Sequence, residues 1–239
     1  MFALAFSAIA FVEKKHNDKT IHDIDILIHD AGSNFFLNNE EVYQLITQGE
    51  NDLIVGNDYD GVELKTIENR VKANQYVAET QAFKDLKGNI TIEVSLSNPI
   101  ARILRKKGDD RYICSSGKVI VTSEKYTPRV VLLSGDFFNN LSSGNITKDS
   151  TFSPIFRLLH FIQKDEFWKA QIAQLDVDRQ GNVIIYPQVT KQYIEFGKAE
   201  NIEKKFIKLH YFYKKILPYK GWNHYARVNL KFENQIICE

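Results

Sequence analysis

Six histidines and two cysteines carry most of the latent chemistry of this 239-residue sequence. The densest group is His22, Asp23, Asp25, His29 and Asp30, the residue types of a metal site. On a strand, Asp23, Asp25 and His29 share one face, but at about 3.3 Å per residue His29 stands about 13 Å from Asp25, too far for one ion. The cluster reads as a solvated strand face. His160 lies close to Asp165 and Glu166, and His210 and His224 lie near Trp222, so each could join a general acid–base pair. Helical periodicity places His160 off the apolar stripe of its helix and His210 among Lys and Tyr residues, which reads as surface histidine. Cys114 and Cys238 cannot build a disulfide framework or a four-thiolate zinc site, and both fall in β-like runs that suit small buried side chains. The sequence contains no glycine-rich phosphate loop, nucleophile elbow, H-E-x-x-H or C-x-x-C. The expectation is a protein with no catalytic, cofactor-binding or metal residues, and not an enzyme.

The elements that would position these groups follow from periodicity. Ile24, Ile26 and Ile28 alternate with Asp23, Asp25 and Leu27 in a half-buried strand. Asn38, followed by Glu41, has the spacing of a capping box and opens a helix whose Val42, Leu45 and Ile46 share a face. Leu64, Ile67 and Val71 give a second helical stripe. Strands 76–85 and 89–96, separated by Lys87-Gly88, complete a β-α-α-β-β order.

After Asn98-Pro99 the pattern changes to short strands at 100–104, 111–114, 118–121 and 129–133, with a hairpin signal at Ser116-Gly117. A helix carrying Phe152, Ile155, Leu159 and Ile162 follows, then strands at 170–178, 182–186 and 192–196. A long helix keeps Ile202, Phe206, Leu209, Tyr213 and Ile216 on one stripe, with Pro218 and Gly221 ending it. Ala226, Val228, Leu230 and Phe232 then alternate with Arg227, Asn229 and Lys231 as a strand, before a last run from Gln235 to Cys238. The fold class is therefore α+β: a β-α-α-β-β module followed by a mixed β-sheet domain with two packed helices.

Composition narrows the function classes. Hydrophobic residues at 44% and charged ones at 26% exclude fibrous and tail-like chains. A balance of 31 basic against 30 acidic residues argues against a nucleic-acid partner. The charge is unevenly spread: 13–98 carries 8 Lys/Arg and 16 Asp/Glu, a net −8, whereas 99–239 carries 23 and 14, a net +9. Two modules with opposite fields can steer different partners to different ends. Met1 to Val12 is uncharged and precedes Glu13-Lys14-Lys15. As a helix it covers about 18 Å, short of the roughly 30 Å bilayer core, so residues 1–16 read as the surviving end of a hydrophobic signal anchor.

The last strands raise an edge problem. A strand with no later element to cover it invites pairing by another chain, with main-chain hydrogen bonds giving affinity and alternate side chains giving selection.

These pieces resemble the FtsQ/DivIB family of bitopic cell-division proteins, in its Bacteroidetes-type form. Residues 17–98 resemble a POTRA domain and residues 99–239 the family's β domain. Asn98-Pro99-Ile100-Ala101 resembles the family's Pro-x-Ala at the junction of the modules. Tyr112 to Ile120, with Gly117, sits where the family has a D-x-x-G hairpin, although Cys114 and Ser115 replace the usual Asp. Leu133-Ser134-Gly135 resembles its Leu-x-Gly, Ile194-Glu195-Phe196-Gly197 its Ile-x-Leu-Gly, and Asn229-Leu230-Lys231-Phe232 the Asp-Leu-Arg-Tyr of its penultimate strand.

The resemblance implies a non-enzymatic divisome scaffold in the inner membrane, with both modules periplasmic and at the septum. Its carboxyl-terminal edge would bind FtsB/FtsL-type partners by strand addition, and the POTRA module would help recruit it. By position, Lys231 and Phe232 match partner-contacting residues, with Arg227 and Asn229 as strand neighbours. The segment after Phe232 lacks the Trp of enterobacterial relatives, so Ile236 and Ile237 enter as partner-binding residues on physical grounds alone. Alternative readings are a POTRA-containing assembly chaperone and an envelope hydrolase using His160 or His224.

Overall fold

The computed structural model describes residues 19–29, 34–48, 54–139, 141 and 144–239. The anchor expected at residues 1–16 and Asp30 of the acidic–histidine cluster lie outside them. Among the described residues, no helix is long and apolar enough to cross a membrane. The chain divides into two compact units, the first ending at Ser97 and the second beginning at Asn98.

The first unit runs β1 (Asp23–His29), α1 (Asn39–Thr47), α2 (Leu64–Lys72), β2 (Val77–Lys84) and β3 (Asn89–Leu96). The strand order is β1-β3-β2, with β3 parallel to β1 and antiparallel to β2. Strict alternation in β3 sends Ile90, Ile92, Val94 and Leu96 inward. Val42 and Ile46 of α1 and Ile67 and Val71 of α2 are buried with them, as their 3.6-residue spacing requires. The capping box forms: the Asn38 side chain accepts the Glu41 N–H at 2.8 Å, and the Glu41 carboxylate accepts the Asn38 N–H at 2.9 Å.

Both outer edges of this sheet are partly satisfied from within. The Ala82 N–H of β2 donates to Glu68 Oε1 of α2 at 3.0 Å, and the Asn39 amide donates to the Ile26 carbonyl of β1 at 3.4 Å.

The second unit is built on one ten-stranded sheet. Its strands are β4 (Pro99–Ile103), β5 (Arg111–Cys114), β6 (Lys118–Val121), β7 (Val131–Ser134), β8 (Gly144–Asn145), β9 (Ile172–Val177), β10 (Asn182–Pro187), β11 (Tyr193–Lys198), β12 (Arg227–Asn229) and β13 (Ile237–Cys238). They lie in the order β13-β12-β11-β10-β9-β7-β4-β5-β6-β8. The core joins strand residues such as Ala101, Leu133, Leu175, Ile185 and Phe196 to Leu158 and Ile162 of α3 (Ser153–Lys164) and to Phe206 and Leu209 of α5 (Ile202–Tyr211). Phe206 anchors the aromatic part, with ring centroids 4.7 Å from Phe161, 4.8 Å from Trp168 and 5.5 Å from Phe196.

Three expectations are corrected. The strand expected over 170–178 begins at Ile172, because a short helix α4 (Glu166–Gln171) precedes it, with Asp165 accepting the Trp168 N–H at 3.1 Å as its cap. Pro218 does not end the long helix. The helix continues past α5 through a π-turn, Phe212–Ile216, and a last turn, α6 (Leu217–Lys220), until Gly221 stops it. Proline removes a backbone donor and crowds the carbonyl four residues earlier, and a widened turn just before Pro218 accommodates both. The strand expected over Ala226 to Phe232 keeps only Arg227–Asn229, for reasons given by its surroundings below.

Candidate partner-binding edge

Among the described residues, no group of three or more His, Cys, Asp or Glu side chains could hold a metal ion. His29 pairs instead with Glu93 of the neighbouring strand at 3.5 Å. His160 Nε2 lies 3.1 Å from the Ser115 carbonyl and packs edge-on against Phe156, while Asp165 is occupied as a helix cap. His224 is exposed, stacked edge-on against Tyr225. Cys114 is buried in β5, and Cys238 lies half-buried in β13.

The end of the ten-stranded sheet holds the residues singled out by sequence. β12 pairs in parallel with β11 on one side and antiparallel with β13 on the other, so β12 is interior and β13 is the terminal strand. Asn229 pairs with Ile237 and Val228 with Cys238. The flanking pair exchanges both hydrogen bonds, Arg227 N–H to the Glu239 carbonyl and Glu239 N–H to the Arg227 carbonyl, each at 3.0 Å. Antiparallel ladders alternate, so the main-chain groups of Ile237 and Glu239 face β12 and those of Ile236 and Cys238 point to the outer side. Those outward groups are the ones a further strand would meet.

A charge network fixes this end. Arg227 Nε and Nη2 grip Glu195 of β11 at 2.8 and 3.1 Å, Arg227 Nη1 meets Glu239 at 2.7 Å, and Lys231 Nζ meets Glu195 at 2.8 Å. With two cations on one carboxylate, hydrogen bonds from Arg227 and then Lys231 hold the Glu195 carboxyl down at about 2, against an ordinary 4.5. Lys231 reaches Glu195 across Gly197, whose φ of +72° and missing side chain leave room: a Cβ there would stand 2.8 Å from Lys231 Cγ.

Beyond Asn229 the ladder breaks for local reasons. Leu230 N–H still donates to the Glu195 carbonyl at 2.9 Å, but Lys231 N–H turns onto the Asn229 side chain at 2.9 Å. Lys208 of α5 then holds the Leu230 and Phe232 carbonyls at 3.2 and 2.5 Å. Its neighbour Lys205 caps the Phe196 and Lys198 carbonyls at 2.8 and 2.7 Å, and burial lowers its ammonium pKa.

The structure thus separates the six sequence-nominated residues. Arg227 and Asn229 lie in β12, and Asn229 is buried, turned inward toward Lys231. Lys231 and Phe232 lie past the end of that strand, Phe232 with 47% of its surface exposed. Ile236 and Ile237, both half-buried, lead into and open β13. Sequence reasoning missed Glu195, Lys205 and Lys208. The one signal for Glu195 was a carboxylate inside the apolar run Ile194 to Phe196; the lysines read as a solvated helix face.

A small β-α-α-β-β module followed in the chain by a ten-stranded mixed sheet that ends in the short strand β13 defines a two-module protein of the POTRA-plus-β type. Residues 98–239 match the family model described as FtsQ/DivIB, C-terminal related, and residues 19–95 match a POTRA-like domain. The chain belongs to the FtsQ/DivIB, C-terminal related, family. No curated protein matches it. Membership carries a scaffold role in cell division, in a family that is generally non-enzymatic, and partners among division proteins in general.

Proposed function

We propose that this protein is a non-enzymatic divisome scaffold of the bacterial cell envelope. Residues 1–16 belong to an inner-membrane anchor, residues 17–98 form the POTRA domain, and residues 99–239 form the β domain, with both domains in the periplasm at the division septum. It binds FtsB/FtsL-type bitopic proteins by strand addition at its carboxyl-terminal edge and so links septal peptidoglycan synthesis to the division machinery. The observation carrying this reading is that β13 ends the sheet with the main-chain groups of Ile236 and Cys238 directed outward. Arg227, Asn229, Lys231, Phe232, Ile236 and Ile237 form the binding segment. Asn229 acts from within by setting the turn, and Phe232 offers an exposed aromatic anchor.

Tagged full-length chain recovered from the envelope of its own host is expected to bring down short bitopic coiled-coil proteins. Phe232→Glu is expected to lose them by about 30-fold, the equivalent of a hot spot of about 2 kcal/mol. Because Phe232 is half exposed, its melting temperature should stay within a few degrees of the parent's. Equal recovery by both forms would move the site off this segment, and recovery of no division protein by either would sink the scaffold reading.

A further inference from the structure

Three neighbouring strands in the middle of the second unit's sheet, β9, β7 and β4, run parallel to one another, so their carboxyl ends lie at the same end of the sheet. Ligands on parallel strands seat in the crevice between the loops that leave those ends. Here the loops are 104–110 after β4, 135–139 after β7 and 178–181 after β9. A pocket of about 250 Å³ opens there, with Ile103, Leu104 and Phe138 as its apolar lining and Arg105, Lys106 and Lys107 as its charged lining. None of the described residues that line it carries a carboxylate.

The carboxylates nearby are already engaged. Asp110 accepts from Arg102 Nε at 2.9 Å and from the Arg105 N–H at 3.0 Å, which ties the two ends of the first loop together and leaves the Arg105 guanidinium unused. Asp136 accepts from Lys106 Nζ at 2.8 Å, and Arg179 Nε lies 3.3 Å from its other oxygen. Hydrogen bonds from Lys106, then from Asn139, hold the Asp136 carboxyl below the ordinary carboxylate range. One carboxylate thus draws in cations from two separate loops. Arg105 and Lys107, on either side of Lys106, have no carboxylate partner among the described residues. Three consecutive cations repel one another, and an anion in the crevice relieves that repulsion.

We propose that this crevice binds a phosphate or diphosphate ester, with Arg105, Lys106 and Lys107 on its oxygens and Leu104 against the carbon chain that carries it. The volume lies below the roughly 300–1,000 Å³ of a site for a whole drug-sized molecule, so the pocket takes the charged end of its ligand. A planar guanidinium pairs two phosphate oxygens at once, and two ammonium groups supply point charges for the rest. A single carboxylate has too few oxygens to serve all three. A soluble phosphate ester and a phosphorylated lipid headgroup both carry this chemistry.

The test is calorimetric titration of the full-length chain with inorganic pyrophosphate, with sulfate as the control anion. Pyrophosphate is expected to bind about tenfold more tightly than sulfate, with affinity falling as salt rises. Lys107→Glu and Arg105→Gln are each expected to weaken it about tenfold, the loss of one charge-assisted bond. Lys220→Glu makes the same charge reversal at an exposed position of α6 and is expected to bind like the parent. Asp136→Asn releases Lys106 and Arg179 and is expected to tighten binding. Sulfate and pyrophosphate bound alike, and weakened equally by Lys107→Glu and Lys220→Glu, would mean an adventitious ion only and overturn the proposal. No binding by the parent at millimolar pyrophosphate would overturn it too. If Arg105→Gln melts early, Lys107→Glu, at an exposed position, decides alone. Co-sedimentation with phosphatidylcholine vesicles carrying phosphatidic acid separates the two sources. Retention beyond that on phosphatidylcholine alone, displaced by pyrophosphate and missing in Lys107→Glu, assigns a lipid headgroup; pyrophosphate binding without such retention assigns a soluble ester.

Discussion

Gly135→Ala is expected to destabilise the second unit by about 3–5 kcal/mol, measured by urea unfolding of the full chain followed by tryptophan fluorescence. Gly135 directly follows β7, whose Ser134 is in parallel register with Asp176, and it therefore crosses the next residue of β9 at very close range. An added Cβ would stand 2.1 Å from the Val177 carbonyl oxygen and 2.8 Å from its nitrogen. No side-chain movement relieves a clash with backbone, and the φ of +101° is itself unfavourable for any residue with a Cβ. The two strands would have to separate at the centre of the sheet, where Leu133 and Leu175 are fully buried. A loss below about 1 kcal/mol would show that β7 and β9 do not approach as described.

Glu195→Gln is expected to cost about 2 kcal/mol at neutral pH and to weaken partner binding with it, because Arg227 and Lys231 would face each other without their shared carboxylate. The parent's own acid response carries the sign. The Glu195 carboxyl is held at about 2, below its ordinary 4.5, so its stabilisation is fully present above about pH 4.5 and is lost as pH falls toward 2. A depression of that size corresponds to at most about 3 kcal/mol, which exposure of 19% of the side chain to water reduces to about 1–2 kcal/mol. Unfolding free energies of parent and variant should therefore converge between pH 5 and pH 2. A gap that stays constant over that range would show that the network at the end of β11 and β12 contributes through packing and not through charge.

Much of this protein was written in local patterns. Alternating apolar residues in β1 and β3 could only be strands with one face turned to the core, half-buried in β1 and buried in β3, and Asn38 with Glu41 could only cap a helix, since both depend on neighbours within four residues. The β-α-α-β-β order, the change of texture after Asn98 and the ordered motifs from Pro99 to Phe232 together carried the family. The long helix was also legible as far as Tyr213, because a 3.6-residue apolar period runs unbroken through Ile202, Phe206 and Leu209; the widened turn then shifts the phase, so that Leu217 and not Ile216 is the next fully buried position.

What pattern could not settle was which strand closes the sheet and where its hydrogen bonds stop. Alternation from Ala226 to Phe232 matched a seven-residue strand, yet Asn229 and Lys208 draw off the groups that would continue the ladder after three residues. Those are competitions between a backbone and side chains held by other elements, Lys208 lying 22 residues from Leu230 in the chain. Glu195 gains its role in the same way: only folding brings Arg227 and Lys231, more than thirty residues away, onto one carboxylate, where their charges outweigh its desolvation. The sequence by itself determined the elements, the two modules and the family. The tertiary structure decided that β13 and not β12 is the open strand, because edge position and charge pairing arise from long-range packing that no local period records.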